Sequence, residues 1–111
     1  MSEVTFSPAR RHERFSVELS IICKSKESPL ADQVVNLSAG GARINTPAPL
    51  PPGTRHHFAI TVPDVKLRAN VVDVEATVAW AKGHAMGLSF TRHSDGIEDY
   101  LRRLERASHS L

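Results

Sequence analysis

The sequence predicts a mainly β protein: a small six-stranded antiparallel β-barrel with a C-terminal α-helix and a flexible basic N-terminal tail. Three observations carry that expectation. Short runs of alternating apolar and polar residues recur along the chain, separated by turn residues. A helical stripe at i, i+3, i+4 and i+7 occurs near the end, in Ile97, Tyr100, Leu101 and Leu104. The first residues carry no such pattern and run into Arg10-Arg11-His12-Glu13-Arg14. Short strands followed by one helix suit a small barrel with the helix packed on it.

A chain of 111 residues is one domain with a single modest core. Residues 1–9 are expected to be a tail, 10–108 the domain with its arginine-rich segment, and 109–111 a frayed end. Pro8 discourages a helix in the tail. Phe15 to Lys24 alternates, with Phe15, Val17, Leu19, Ile21 and Cys23 on one face, and reads as a half-buried strand. Lys26 to Pro29 is a turn, Ala31 to Ser38 a second strand and Ala42 to Thr46 a third. In the third, Ala42 and Ile44 point inward and Arg43 outward.

Pro47 to Gly53 holds four prolines and a glycine, which makes a rigid loop. Arg55 to Val62 is a strand stopped by Pro63-Asp64. Val65 to Ala81 is β-rich but too long for a typical strand, so a bend or bulge is expected near Asp73 to Glu75. Lys82-Gly83-His84 turns the chain into a last strand, Ala85 to Thr91. Asp95 is the expected helix cap, with Glu98 completing a capping box. Arg102, Arg103 and Arg106 fall in the second half of the helix, where cations suit its dipole.

Composition excludes more than it selects. A net charge of +2 is too small to argue for nucleic acid. The basic residues cluster instead at Arg10 to Arg14 and at Arg102 to Arg106, which favours a local anionic partner. The lone Cys23 rules out an internal disulfide and fits a reducing compartment. No apolar run approaches a membrane span or a signal-peptide core, so a soluble cytoplasmic protein without membrane insertion is expected. His56 and His57 are adjacent and fall on opposite faces of a strand. The other histidines are scattered without H-x-E or C-x-x-C spacing, so no metal site is expected. No G-x-S-x-G flanks Ser38, and no acid–base pair or nucleophile is legible, so the chain does not read as an enzyme.

Two stretches carry ligand chemistry. Arg10 and Arg14 share a side whether the segment is extended or helical, and a guanidinium forks onto phosphate oxygens or onto the guanine edge. In Asn36-Leu37-Ser38-Ala39-Gly40-Gly41, alternation sends Leu37 to a core and presents the Asn36 amide and the Ser38 hydroxyl outward. Gly40 and Gly41 permit positive φ and a close backbone approach. Arg43 extends the same surface. Trp80 reads either as a barrel-wall residue or as a platform for a stacked base.

These residues resemble the signatures of the PilZ family: RxxxR in Arg10 to Arg14, then D/N-x-S-x-x-G in Asn36, Ser38 and Gly41. Gly87-Leu88-Ser89-Phe90 is similar to a third, G-L/I-x-F, which is taken here as a mark of the fold and left out of the ligand site. The resemblance covers nearly the whole chain. It implies a barrel with a basic N-terminal segment that folds over its surface, and a bacterial receptor for cyclic di-GMP. It assigns the ligand to Arg10, Arg14, Asn36, Ser38 and Gly41; Arg11, beside the first motif, Arg43, on the same surface, and Trp80, as a stacking platform, are added as helpers. The family form often has aspartate where Asn36 stands; asparagine adds a donor, which weakens a contact to guanine N1 and N2 donors without abolishing binding. Ala9, not another arginine, precedes the first motif, which tilts the expectation toward fewer nucleotides per chain.

The expected function is thus a single-domain receptor without another cofactor. Ligand binding orders the arginine segment, and the signal passes to a separate effector protein in motility, chemotaxis or exopolysaccharide and biofilm control. The alternative is a PilZ-like interaction module that makes no use of the nucleotide. Nonspecific DNA or RNA binding through the tail ranks lower and would show steep salt dependence.

Overall fold

Alternating residues bury one face of each strand, and six such strands close into a barrel only if every edge finds a partner. The computed structural model describes residues 13–25 and 31–109; Arg10 and Arg11 lie outside them. The strands are β1 (Phe15–Cys23), β2 (Asp32–Leu37), β3 (Gly41–Asn45), β4 (Arg55–Pro63), β5 (Ala69–Lys82) and β6 (Ala85–Phe90), followed by helix α1 (Asp95–His109). They form a closed antiparallel barrel in the order β1-β2-β3-β6-β5-β4, with β1 and β4 completing the ring. The expected mainly β barrel with a terminal helix is the architecture found.

The interior is aliphatic. Ile21, Val34, Leu37, Ile44, Phe58, Ile60, Val78 and Met86 are all fully buried. Burying each such side chain contributes about 1.5–3 kcal/mol relative to exposure. Ile97, Tyr100 and Leu101 of α1 join this core, and Leu104 packs against it. A Cβ on Gly96 would stand 2.9 Å from the Val72 methyls, so the first turn of α1 lies close on β5.

Three details differ from the sequence expectation. The stretch from Val65 does not enter a strand at once. Residues 64–68 form a tight hairpin end in which Asp64 Oδ1 accepts the amides of Lys66 at 2.8 Å and Arg68 at 2.9 Å. The Arg68 and Lys66 amides and the Arg68 side chain hold the Asp64 carboxyl below its usual range. Leu67 adopts φ 64°, a left-handed conformation that side chains disfavour.

Secondly, the bulge lies past Asp73 to Glu75. Pairing of β5 with β4 is unbroken from Ala69 to Thr77, and the register shifts between Val78 and Trp80. The alternation Val72, Val74, Ala76, Val78 is intact up to that point, after which Ala79 and Trp80 are both exposed. Thirdly, the helix cap is Ser94, not Asp95. Ser94 Oγ accepts the Ile97 amide at 3.3 Å, while Asp95 meets His93 Nε2 at 2.8 Å. The residue one position earlier is the one whose short hydroxyl reaches an orphan amide.

Candidate functional site

The register of four strands assembles one surface. On the outer face, Asn36 of β2 pairs with Arg43 of β3, Arg43 with Gly87 of β6, and Gly87 with Trp80 of β5. These four residues therefore form a single row across the barrel wall. Two bulges frame it: the β2–β3 register shifts between Val34 and Asn36, and the β5–β6 register between Val78 and Trp80. A bulge re-aims the side chain beside it. Here the two turn Asn36 and Trp80 toward the same strip of β3 and β6.

Gly87 is what makes the strip a hollow. A Cβ there would collide with the Trp80 indole, so the ring lies directly on the glycine backbone. Trp80 remains 41% exposed. The Arg43 guanidinium carbon stands 5.7 Å from the ring centroid, within cation–π distance. On the other flank, Arg14 Nη1 donates to Asn36 Oδ1 at 3.1 Å and ties the N-terminal segment to β2.

The resulting open cleft has a volume of about 940 Å³ and includes Arg14, Asn36, Ser38, Gly41, Arg43, Trp80 and Gly87 in its lining. No carboxylate lines it among the described residues, while Arg14 and Arg43 do. Two guanidinium groups, an amide and an exposed indole face suit a ligand that is anionic and carries a flat π system.

Ser38 corrects the expectation of an outward hydroxyl. It is 2% exposed, and its oxygen is engaged within the β2–β3 turn. Ser38 Oγ donates to the Gly41 carbonyl at 3.4 Å and accepts the Gly40 amide at 3.3 Å, while the Ser38 amide donates to the Gly41 carbonyl at 2.9 Å. Gly41 is required for space: a Cβ there would run into the Leu88 carbonyl oxygen. Positive φ among the described glycines belongs to Gly53 and Gly83, not to Gly41.

Of the residues singled out from sequence, the fold brings Arg14, Asn36, Ser38, Gly41, Arg43 and Trp80 to one cleft. Arg10 and Arg11 fall outside the described residues. The sequence reading set Gly87 apart from the site, yet the structure puts it in the floor. A signal for this existed: with Lys82 paired to Ala85 across a two-residue turn, Trp80 must come opposite Gly87.

A second polar cluster was not legible. Glu75 of β5, 17% exposed at its side chain, has Arg55 Nε at 3.8 Å, His57 Nε2 at 3.6 Å and Arg92 Nε at 3.6 Å. The Thr91 hydroxyl, donating at 2.8 Å, and then the Arg55 and Arg92 guanidinium groups and the neighbouring His57 hold the Glu75 carboxyl below its ordinary value. No group of three or more metal-ligating side chains occurs among the described residues. Nor is any described helix long and apolar enough to cross a membrane.

Comparison with known proteins identifies the family and the fold. The family model for the PilZ domain matches residues 8–107, and the chain belongs to that family. PilZ domains are receptor and adaptor modules. The barrel is similar to the structure of the Bacillus subtilis inhibitor of motility (MotI/DgrA), with a TM-score of 0.71 and 18% identity. That match covers 87% of this chain and 52% of the other, so the chain spans about half the length of that protein. It is also similar to the PilZ domain of CeSA from a cellulose-synthesizing bacterium, with a TM-score of 0.56 and 15% identity over 83% of this chain and 93% of that one. Likeness at such identities speaks for the fold alone. No curated protein matches the sequence.

Proposed function

We propose that the chain is a cyclic di-GMP receptor and that the row Asn36–Arg43–Gly87–Trp80, with Arg14 at its end, is the nucleotide site. The observation that carries this reading is the cleft in which two arginines and an exposed indole converge and no described residue supplies a carboxylate. Cyclic di-GMP brings two phosphates and two guanines. Arg14 and Arg43 supply forks for phosphate or for guanine O6 and N7, each such bidentate contact being worth ~1–3 kcal/mol. Trp80 supplies a stacking face of similar worth. Asn36 hydrogen-bonds a base or ribose edge. Ser38 and Gly41 act by shaping the turn that holds Asn36 in place. Arg10 and Arg11 complete the grip when the arginine segment closes over the barrel. That closure is the signal, and a separate partner protein in the cytoplasm, in motility or biofilm control, reads it.

Titration calorimetry with cyclic di-GMP, against GTP and cyclic di-AMP, tests the reading. Saturable heat specific to cyclic di-GMP is expected, lost in Arg10→Ala/Arg14→Ala. Absence of heat at high micromolar ligand would sink it.

One observation favours the second reading, an interaction module that ignores the nucleotide. Ser38 and Gly41 are fully accounted for by the turn and by β3–β6 packing, so two of the three residues of the Asn36–Ser38–Gly41 motif serve the fold whether or not a ligand binds. Partner recognition that survives Arg14→Ala and needs no added nucleotide would decide for it.

A further inference from the structure

The trough does not end at Arg43. One outward row further along the same strands, Gln33 of β2 pairs with Asn45 of β3, Asn45 with Ala85 of β6, and Ala85 with Lys82 of β5. Residues two apart on a strand repeat the same face about 7 Å on. The second row thus copies the plan of the first: a small residue on β6, Ala85 in place of Gly87, sits between longer side chains on β3 and β5. A second hollow of about 720 Å³ opens there, lined by Asp32, Asn45, Lys82 and His84 among others, and it shares Arg43 and Asn45 with the first.

Its chemistry differs from that of the first row. No described aromatic carbocycle lines it, so it offers no stacking face. It offers the Lys82 ammonium, the Arg43 guanidinium, the His84 imidazole and the Asn45 amide. Asp32 is the carboxylate in the lining and lies on β2, while Lys82 lies on β5. β2 and β5 are three strands apart round the ring, so Asp32 stands on the Arg43 and Asn45 side of the hollow and Lys82 on the other.

The backbone of the turn that carries Lys82 and His84 is tied down. The His84 carbonyl accepts the Thr46 amide at 2.9 Å, and Gly83 takes the left-handed φ of 60° that the two-residue turn requires. Thr46 is itself buried and holds the start of the proline loop through the Ala48 amide at 3.2 Å. A backbone held this way presents the Lys82 ammonium and the His84 imidazole beside Arg43 without a stacking surface, which suits a compact, strongly hydrated anion.

We propose that Lys82, His84, Asn45 and Arg43 form a second subsite that takes a phosphate group beside the guanine-stacking row. The inference rests on the reading of the first cleft as the cyclic di-GMP site and adds to it where a further phosphate goes. That phosphate comes either from the other half of the same nucleotide or from a second nucleotide molecule. Stoichiometry separates the two sources.

The experiment compares the native chain, Lys82→Ala/His84→Ala and Arg14→Ala by calorimetry with cyclic di-GMP at low and at physiological ionic strength. Lys82 and His84 are exposed on the hairpin, so the double variant keeps its fold, which thermal unfolding checks. For a single ligand spanning both rows, the double variant loses roughly tenfold in affinity, shows weaker salt dependence and keeps its stoichiometry. For two ligands, the stoichiometry falls to one. Native affinity, salt dependence and stoichiometry in the double variant overturn the subsite and leave the first cleft standing. No binding by the native chain overturns the reading of the cleft itself. The subsite is then decided by an NMR titration with inorganic pyrophosphate. Saturable movement of the His84 ring resonances supports it, and an unmoved ring overturns it.

Discussion

The two sides of the barrel are built differently. Where β4 lies against β5, nine successive residue pairs run from Arg55↔Thr77 to Pro63↔Ala69 without a break, and β4 meets β1 in equally regular register. Across the ring, the register shifts in β2 between Val34 and Asn36 and in β5 between Val78 and Trp80. The regular wall alternates inward and outward. The irregular face breaks alternation twice, adds two glycines at points of close approach, and is concave. Regular pairing maximises burial for each residue, whereas a site needs side chains aimed at one another. The barrel separates these features: a regular wall, and a face that departs from regularity where the cleft with Arg14, Arg43 and Trp80 lies.

That contrast is open to measurement, and the largest expected effect lies on the wall. Phe58→Ala removes the largest fully buried side chain, on β4, and should cost about 3–5 kcal/mol in urea unfolding. A loss below about 1 kcal/mol would mean that the wall is not where the stability resides.

Next comes Gly41→Ala on the face. The new methyl meets the Leu88 carbonyl, which belongs to a paired strand and has nowhere to move. A loss of about 1–3 kcal/mol is expected, with weakened β3–β6 amide protection in hydrogen exchange. Gly87→Ala makes the sharper comparison. Its methyl meets an indole that can swing aside, so stability should fall by less than in Gly41→Ala. The displaced ring leaves Arg43, which shifts tryptophan emission, and ligand affinity falls further than stability does. Equal stability losses in the two glycine variants would contradict the assignment of backbone collision to one and side-chain collision to the other.

Ser38→Ala should cost ~0.5–1.5 kcal/mol through the lost turn hydrogen bonds, with the remaining ligand affinity largely kept. If binding collapses while stability is unchanged, the hydroxyl touches the ligand after all.

A pH effect belongs to the wall. The Glu75 carboxyl is held below its ordinary value of 4.5 by the Thr91 hydroxyl first and then by Arg55, Arg92 and His57. A depressed carboxyl stabilises the fold above its unfolded value, and that contribution is lost as pH falls through the folded one. Unfolding midpoints of Glu75→Gln should therefore vary less with pH than those of the native chain below about 4.5. Parallel pH curves would remove Glu75 from the account.

The smallest expected change has the opposite sign. Leu67 is 84% exposed and left-handed, so Leu67→Gly relieves strain of about 1 kcal/mol, partly offset by the greater freedom of glycine in the unfolded chain. A thermal midpoint equal to or slightly above the native one is expected; a marked drop would show that Leu67 makes a contact the exposed hairpin does not reveal.

Local pattern by itself determined which segments are strands and which face of each is buried. Phe15 to Cys23 alternates in the chain as it does in the barrel, and Leu37 goes inward because its neighbours are polar. The arginines, Asn36, Ser38 and Gly41 were legible as a group through their resemblance to the PilZ signatures; residue type alone gave each of them only a candidate role. Tertiary structure decided the rest, because it depends on what lies across the strand. The sequence does not say that β1 closes on β4, that Ser38 turns its hydroxyl into its own turn, or that Thr91 and Arg92 meet Glu75. Nor does alternation locate a bulge, since one extra residue costs little locally and is placed by the packing of both neighbours. Trp80 was readable as a wall residue or as a platform; the absence of a Cβ on Gly87, seven residues away in sequence and directly beneath it in space, is what lets the ring lie flat in the cleft.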